Sequence, residues 1–478
     1  MMNSISRRQL LGQFAMGLAL PAQQNGRRPN VLFFAVDDLR PELGCYGVRG
    51  IQSPNIDRLA KQSMVFDRAY VQQAVCSPSR TSIMTGARPD STQVWDLVTH
   101  FRKAMPDVVT LPQHFKQNGY FAQGIGKIFH PGYDDQRSWS VPWQTPKAPT
   151  YANTKSAPQK DEDKPKQKDG PAFEAADVPD NFYKDGQVAD LAVKTLRGLK
   201  NKAEPFFLAV GFAKPHLPFV SPKKYWDLYD AAKIPLAPNP YRPKGAPEYA
   251  LTNSGELRNY PGVSNDGPVS PELARKLKHG YYAAVSYTDA QIGKVLDELE
   301  RQGLRQNTVI VLWGDHGWKL GEHGEWCKHS NVENDTNAPL LLSAPSMKAA
   351  GQHSRALVEF VDIYPTLAEL AGLPLPPHLE GLSFKPLLDN PGLAWKRAAF
   401  SQYPRGQKLM GYSMRTDRYR LTVWVGRNDH SRIEATELYD HQTDPQENTN
   451  IASLPAHAKL VEALMAQWRQ GWRGARPL

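Results

Sequence analysis

The side chains able to do chemistry fall into short clusters: Asp37-Asp38, Cys76 with Arg80, Lys127 with His130, Lys214-Pro215-His216, Asp315-His316, and Lys328. Adjacent carboxylates are expensive to keep together unless a cation neutralises them, and oxygen donors suit a hard divalent ion. Histidine and lysine beside such a centre are the usual groups for moving a proton or steadying developing charge. Cys76 opens the stretch Cys76-Ser77-Pro78-Ser79-Arg80-Thr81-Ser82-Ile83-Met84-Thr85-Gly86. Pro78 pre-sets a turn into a helix there, whose first amides and positive dipole end favour an anion beside residue 76. Plainer readings stand beside these: a buried structural thiol for Cys76, a surface cation for Arg80, a helix-capping pair for Asp37-Asp38, and packing residues for the single histidines.

These clusters need elements to bring them together. Val31-Leu32-Phe33-Phe34-Ala35-Val36 is too short for a helix and reads as a strand buried on both faces; it runs straight into Asp37-Asp38. Val309 to Trp313 leads into Asp315-His316 in the same way, Phe206 to Val210 leads to Lys214-Pro215-His216, and Gly119 to Ala122 precedes Lys127 and His130. Four buried strands thus deliver ionisable residues at their carboxyl ends, where open α/β sheets build sites. With helical patterns between them, such as Ala283 to Leu299, the class is α/β. Residues 144–180 are rich in Pro, Lys, Asp and Ala and read as a surface insertion loop within a domain spanning 29–392. From about 393 to 478 the pattern is that of a smaller α+β subdomain. It has a strand at Tyr419 to Val425, turns at Asp440 to Asn450, and a terminal helix with Leu460, Val461, Leu464 and Trp468 on one face.

Across 478 residues, 40% hydrophobic and 22% charged content with a mean hydropathy of -0.54 argue against a membrane, fibrous or disordered protein. A net charge of +10 favours a polyanionic partner without choosing its kind. Three scattered cysteines, Cys45, Cys76 and Cys327, exclude a disulfide framework or a zinc site of the CxxC type, and leave Cys45 and Cys327 as packed or free thiols. Residues 1–22, with Arg7-Arg8 before a modest apolar run, have the layout of a twin-arginine export signal. Its removal takes two arginines and no acids, so +10 becomes +8 in a periplasmic or secreted protein with no membrane insertion.

The Cys76–Gly86 stretch matches the signature Cys-x-Pro-Ser-Arg-x-x-x-x-Thr-Gly at every fixed position, and the chain resembles the formylglycine-dependent sulfatases. The resemblance implies an alkaline-phosphatase-like fold, with a large mixed sheet flanked by helices and a smaller C-terminal α+β domain. It implies that a maturation enzyme oxidises Cys76 to formylglycine, whose hydrated aldehyde is the nucleophile and which Arg80 steadies. Asp37, Asp38, residue 76, Asp315 and His316 are then expected to hold one calcium ion, with Asp315 also placed to deprotonate the nucleophile. The second family signature corresponds to Gly119 to His130, departing at Ala122 where Ser or Thr is usual. It implies Lys127 as a partner of sulfate oxygen and His130 as the base that expels sulfate. His216 and Lys328 are implied to stabilise or protonate the leaving alcohol, with His323 nearby.

Gly314 to Trp326, Gly411 to Thr416, Tyr419 to Val425 and Glu437 to Asp440 resemble the iduronate 2-sulfatase branch of that family, which also carries His where most members have Asn at position 316. The implied substrate is a 2-O-sulfated uronic acid in a sulfated oligosaccharide, with Trp318 shaping the sugar wall; no nucleic acid partner is expected. Two other readings remain open: a phosphodiesterase or phosphonate hydrolase on the same fold, and a polysaccharide-binding protein without turnover.

Overall fold

The computed structural model describes residues 28–153 and 168–477; the export leader expected at 1–22 lies outside the described residues. The centre is a seven-stranded mixed sheet. Its order is His353–Ser354, Met64–Phe66, Leu340–Ser343, Thr308–Gly314, Asn30–Val36, Phe206–Phe212 and Phe121–Gly126. The strands from Thr308–Gly314 to Phe121–Gly126 run parallel, and Leu340–Ser343 runs against both its neighbours.

Every residue of Asn30–Val36 is buried, and the pleat explains how one continuous apolar run serves two cores. Leu32, Phe34 and Val36 join one cluster with residues of the helices Lys184–Leu199 and Pro271–Arg301. Val31, Phe33 and Ala35 join the other, under the helices Cys76–Thr85, Leu111–Gln117 and Ile363–Leu370. Each such large side chain contributes about 1.5–3 kcal/mol on burial, so the strands are held from both sides.

Register sets the site. Val36 lies opposite Phe212 and Gly314, and Gly126 lies opposite Gly211, so Asp37, Ala213 and Asp315 leave the sheet at one level and Lys127 one residue before it. Gly126 has φ +76°, and a Cβ there would fall 2.1 Å from the Gly211 carbonyl oxygen. That glycine is what lets the two chains separate so closely. The fourth strand differs from the sequence expectation: Gly119 is a left-handed turn at φ 84°, and the strand runs over Phe121–Gly126.

A four-stranded antiparallel sheet follows, Ala399–Arg405, Leu409–Arg415, Tyr419–Gly426 and Asp429–Asp440, paired in that order. The helix Ala458–Arg469 covers it, with Leu460, Val461, Leu464 and Trp468 against Met410, Met414, Leu421 and Val423.

The expected insertion loop at 144–180 is corrected in part. Phe173–Ala176 is a strand paired in parallel with Phe219–Pro222. Its buried Glu174 accepts hydrogen bonds from the amides of Ala152 and Asn153 at 2.8 and 3.0 Å and from the Tyr183 hydroxyl at 2.8 Å. The few apolar residues of the segment, Tyr151, Phe173 and Val178, are gathered on one cluster, which average composition hides. Residues 154–167 of it lie outside the described residues.

Candidate active site

The helix Cys76–Thr85 is buried along its whole length and starts at Cys76, with Pro78 in the first turn where no backbone donor is needed. Cys76 Sγ lies 3.3 Å from Asp37 Oδ1 and 3.3 Å from His316 Nε2, with Lys127 Nζ at 3.9 Å. One turn on, Arg80 donates from Nε to Asp315 Oδ2 at 2.8 Å and reaches Asp37 Oδ1 at 3.3 Å, while a further N–H meets the Ile128 carbonyl at 3.1 Å. The Ser79 hydroxyl donates to the Asp315 carbonyl. The helix is therefore bolted to the ends of three strands.

Asp38 sits in the left-handed region at φ 58°, its amide donating to Asp315 Oδ1 at 3.0 Å and its carbonyl accepting from the Tyr281 hydroxyl at 2.9 Å. This turn aims the carboxyls of residues 37 and 38 at different neighbours. Lys127 Nζ pairs with Asp37, and Lys328 Nζ lies 3.0 Å from Asp38 Oδ1. His216 is carried by a loop whose amides at Ala213 and Lys214 are held by the buried Asp185 at 3.0 and 2.7 Å. Its Nε2 lies 3.9 Å from Asp38 Oδ2.

Electrostatics follow from burial. Burial alone raises Asp37, but the charges of Lys127, His216 and Arg80 outweigh it and hold that carboxyl well below its ordinary value. Burial wins at Asp38, which is raised despite Lys328 and His216. Burial and then Asp37 push the Cys76 thiol far up, against the opposing charges of Lys127 and Lys328, which disfavours a thiolate at residue 76. Burial, Lys127 and Arg80 push His130 down to about 4, leaving a neutral imidazole whose buried Nδ1 has no hydrogen-bond partner among the described residues. Burial lowers Lys214 to about 8 while its ammonium donates to the carbonyls of His216 and Pro218.

Ligand atoms of Asp37, Asp38, Cys76 and His316 all lie within 4.8 Å of one another. His316 Nδ1 is 2.9 Å from the Gly317 carbonyl. With the ring N–H donated there, the Nε2 lone pair faces the carboxylates, as a metal-bound histidine requires. The donor set thus fits a divalent cation. Asp315 stands beside this group, 3.5 Å from His316 Nε2, with its oxygens taken by Arg80 and the Asp38 amide.

The structure thus gathers Asp37, Asp38, Cys76, Arg80, Lys127, His216, Asp315, His316 and Lys328; His130 joins through the fields of Lys127 and Arg80. Trp318 does not line a sugar wall. It is fully buried, its ring against Phe219 and beneath the Lys328 ammonium at 4.9 Å, so it supports that lysine from behind. His323 is also buried, and its ring makes no hydrogen bond to any of these groups. Glu256 went unnoticed in the sequence: it pairs with His216 at 3.0 Å and Lys328 at 2.9 Å, and Ser254-Gly255-Glu256 carries no motif that marks it.

The chain belongs to the sulfatase family, whose model matches residues 29–373. It is similar to iduronate 2-sulfatase of Mus musculus, 38% identical with 95% of this chain and 97% of that protein covered. The Homo sapiens iduronate 2-sulfatase is 37% identical over 94% and 96% of the two chains. Residues 321–472 also match the C-terminal family of N-sulphoglucosamine sulphohydrolase. Among solved structures, a protein in complex with its substrate D-glucosamine-2-N,6-O-disulfate superposes with TM-score 0.75 at 24% identity, covering 94% of this chain and 98% of that one. The phosphonate monoester hydrolase of Agrobacterium radiobacter gives the same score at 21% identity, covering 93% and 95%. These last two show the fold, which is alkaline-phosphatase-like as expected. The chain is an enzyme, a sulfatase.

Proposed function

We propose that this sulfatase removes 2-O-sulfate from uronic acid residues of heparan- or dermatan-type chains, with Cys76 matured to formylglycine and one calcium ion held by Asp37, Asp38, Asp315, His316 and residue 76. The similarity to iduronate 2-sulfatase along nearly the whole of both chains carries the substrate, and His316 inside the cluster agrees with that branch. The basic balance, +8 once the expected leader is removed, suits a polyanionic glycan, and a twin-arginine leader at 1–22 suits a periplasmic or secreted place of work.

Formylglycine supplies a geminal diol that a thiol lacks, and calcium supplies positive charge for the sulfate oxygens. The chain's own residues do the rest. Arg80 pairs with Asp315 and Asp37 and fixes both carboxyls beside residue 76. Lys127, 3.9 Å from Cys76 Sγ, presents its ammonium to a sulfate oxygen. His130, neutral above about pH 4, accepts a proton at Nδ1. On the opposite side of Asp38, His216 and Lys328 offer N–H donors to the departing sugar oxygen.

Sulfate release from disaccharides carrying one sulfate at a known position tests this. A 2-O-sulfated terminal uronic acid is cleaved and a 6-O-sulfated glucosamine is cleaved far less, because a uronate pocket must pair the sugar carboxylate with cations that a neutral sugar would leave unmatched. Preference for the amino sugar, or for a phosphonate monoester, overturns the assignment.

A further inference from the structure

Glu256 lies on the short helix Gly255–Arg258, far in sequence from every cluster described above. Its carboxylate spans two cations: Lys328 Nζ at 3.1 Å from Oε1 and 2.9 Å from Oε2, and His216 Nε2 at 3.0 Å from Oε1. Both cations also face Asp38, Lys328 at 3.0 Å and His216 at 3.9 Å. Asp38 is shared with His316 and with the proposed calcium, whereas Glu256 lies outside the Asp37, Asp38, Cys76 and His316 group, clustering instead with Asp38 and His216. The His216 side chain is 28% exposed and that of Lys328 2%, so His216 stands at the solvent edge of the site with Lys328 buried behind it.

The segment carrying Glu256 is built onto the one carrying Lys328. The Trp326 amide donates to Ser254 Oγ at 2.8 Å, and the Thr252 hydroxyl donates to Glu325 at 2.9 Å while lying 3.4 Å from Cys327 Sγ. Arg258 closes the loop from the other side, donating to the carbonyls of Asn253, Ser264 and Gly267. A carboxylate on such a frame holds its partners at a fixed separation.

We propose that Glu256 is a positioning residue for leaving-group departure: with Asp38 it takes two of the three N–H groups of Lys328 and leaves the third for the bridging oxygen of the sulfate ester, and it holds the His216 ring by Nε2 until that oxygen takes its place. This rests on the reading above that those two residues serve the departing alcohol. Donors to the leaving oxygen matter when the alcohol is a poor leaving group and much less when it is a stabilised phenolate.

The test compares Glu256→Gln, which keeps the shape and removes the charge, with the wild-type holoenzyme on a 2-O-sulfated uronate disaccharide and on 4-nitrocatechol sulfate. The expected result is a fall in kcat of about 30-fold or more on the sugar ester, within the range of acid–base contributions, with a far smaller fall on the aryl ester and little change in KM. Glu256→Asp restores part of the sugar-ester rate and carries the same contrast should the glutamine variant fold poorly. Equal losses on both esters, or a loss confined to KM, overturn the proposal. A wild type that cleaves another sugar sulfate but no uronate sulfate overturns the substrate reading alone, and the same contrast on that ester then decides for or against Glu256.

Discussion

Arg80 and Asp315 form an ion pair of 2.8 Å with both side chains fully buried, joining the helix that begins at Cys76 to the end of the strand Thr308–Gly314. The same guanidinium reaches Asp37 across the neighbouring strand end, so one arginine bridges two carboxylates beside the candidate nucleophile. A buried charge stripped of its partner costs far more than the pair contributes. Arg80→Met is therefore expected to lose about 3–5 kcal/mol of stability and all measurable turnover. Calorimetric melting and sulfate release check this; a variant with unchanged Tm contradicts it.

Calcium is expected at about one ion per chain, because two adjacent carboxylates converge on residue 76 and hard oxygen donors suit it. Elemental analysis of the purified enzyme measures it. Chelation is expected to lower both activity and Tm, with calcium restoring them, and Asp38→Asn to weaken calcium retention. Stoichiometric zinc, or full activity in demetallated protein, contradicts the assignment.

His130 gives a pH signature whose sign is fixed. In the unfolded chain it titrates near 6.5, and in the fold at about 4, because burial and then Lys127 and Arg80 disfavour its charged form. Between those values the unfolded chain takes up a proton that the folded one refuses. Wild-type stability is expected to fall as pH drops from 6.5 to 4 and to gain no further loss from this group below that. Denaturant unfolding at several pH values, compared with His130→Gln, isolates the contribution: the variant has the shallower slope. Identical slopes contradict the lowered value.

Much of this site was legible in the sequence because its elements are locally self-declaring. Val31 to Val36 is apolar at every position, which only a strand covered on both faces tolerates, and the charged residue after it must then emerge at the sheet edge. The Cys76 motif fixed a helix start with residue 76 at its first turn. Three features were hidden for physical reasons. The fourth strand, expected at Gly119 to Ala122, runs on to Gly126 through two glycines, and Gly124 has the Trp139 ring against it, where a Cβ would fall 2.8 Å from the ring. Trp318 sits two residues after His316, and sequence proximity put it at the sugar, whereas the chain turns it into the core beside Phe219. Glu256 reaches its partners across 72 residues of chain to Lys328, in a region with neither period nor motif, so only the fold reveals it.

The most direct test of the account lies at residue 76. Mass spectrometry of the tryptic peptide Ala69–Arg80 reports the fraction of Cys76 converted to formylglycine, and sulfate release is measured on the same preparations. Across preparations made with and without a maturation enzyme, activity is expected to rise in proportion to the converted fraction and to vanish with it. A fully active preparation in which residue 76 is entirely unmodified thiol contradicts the mechanism.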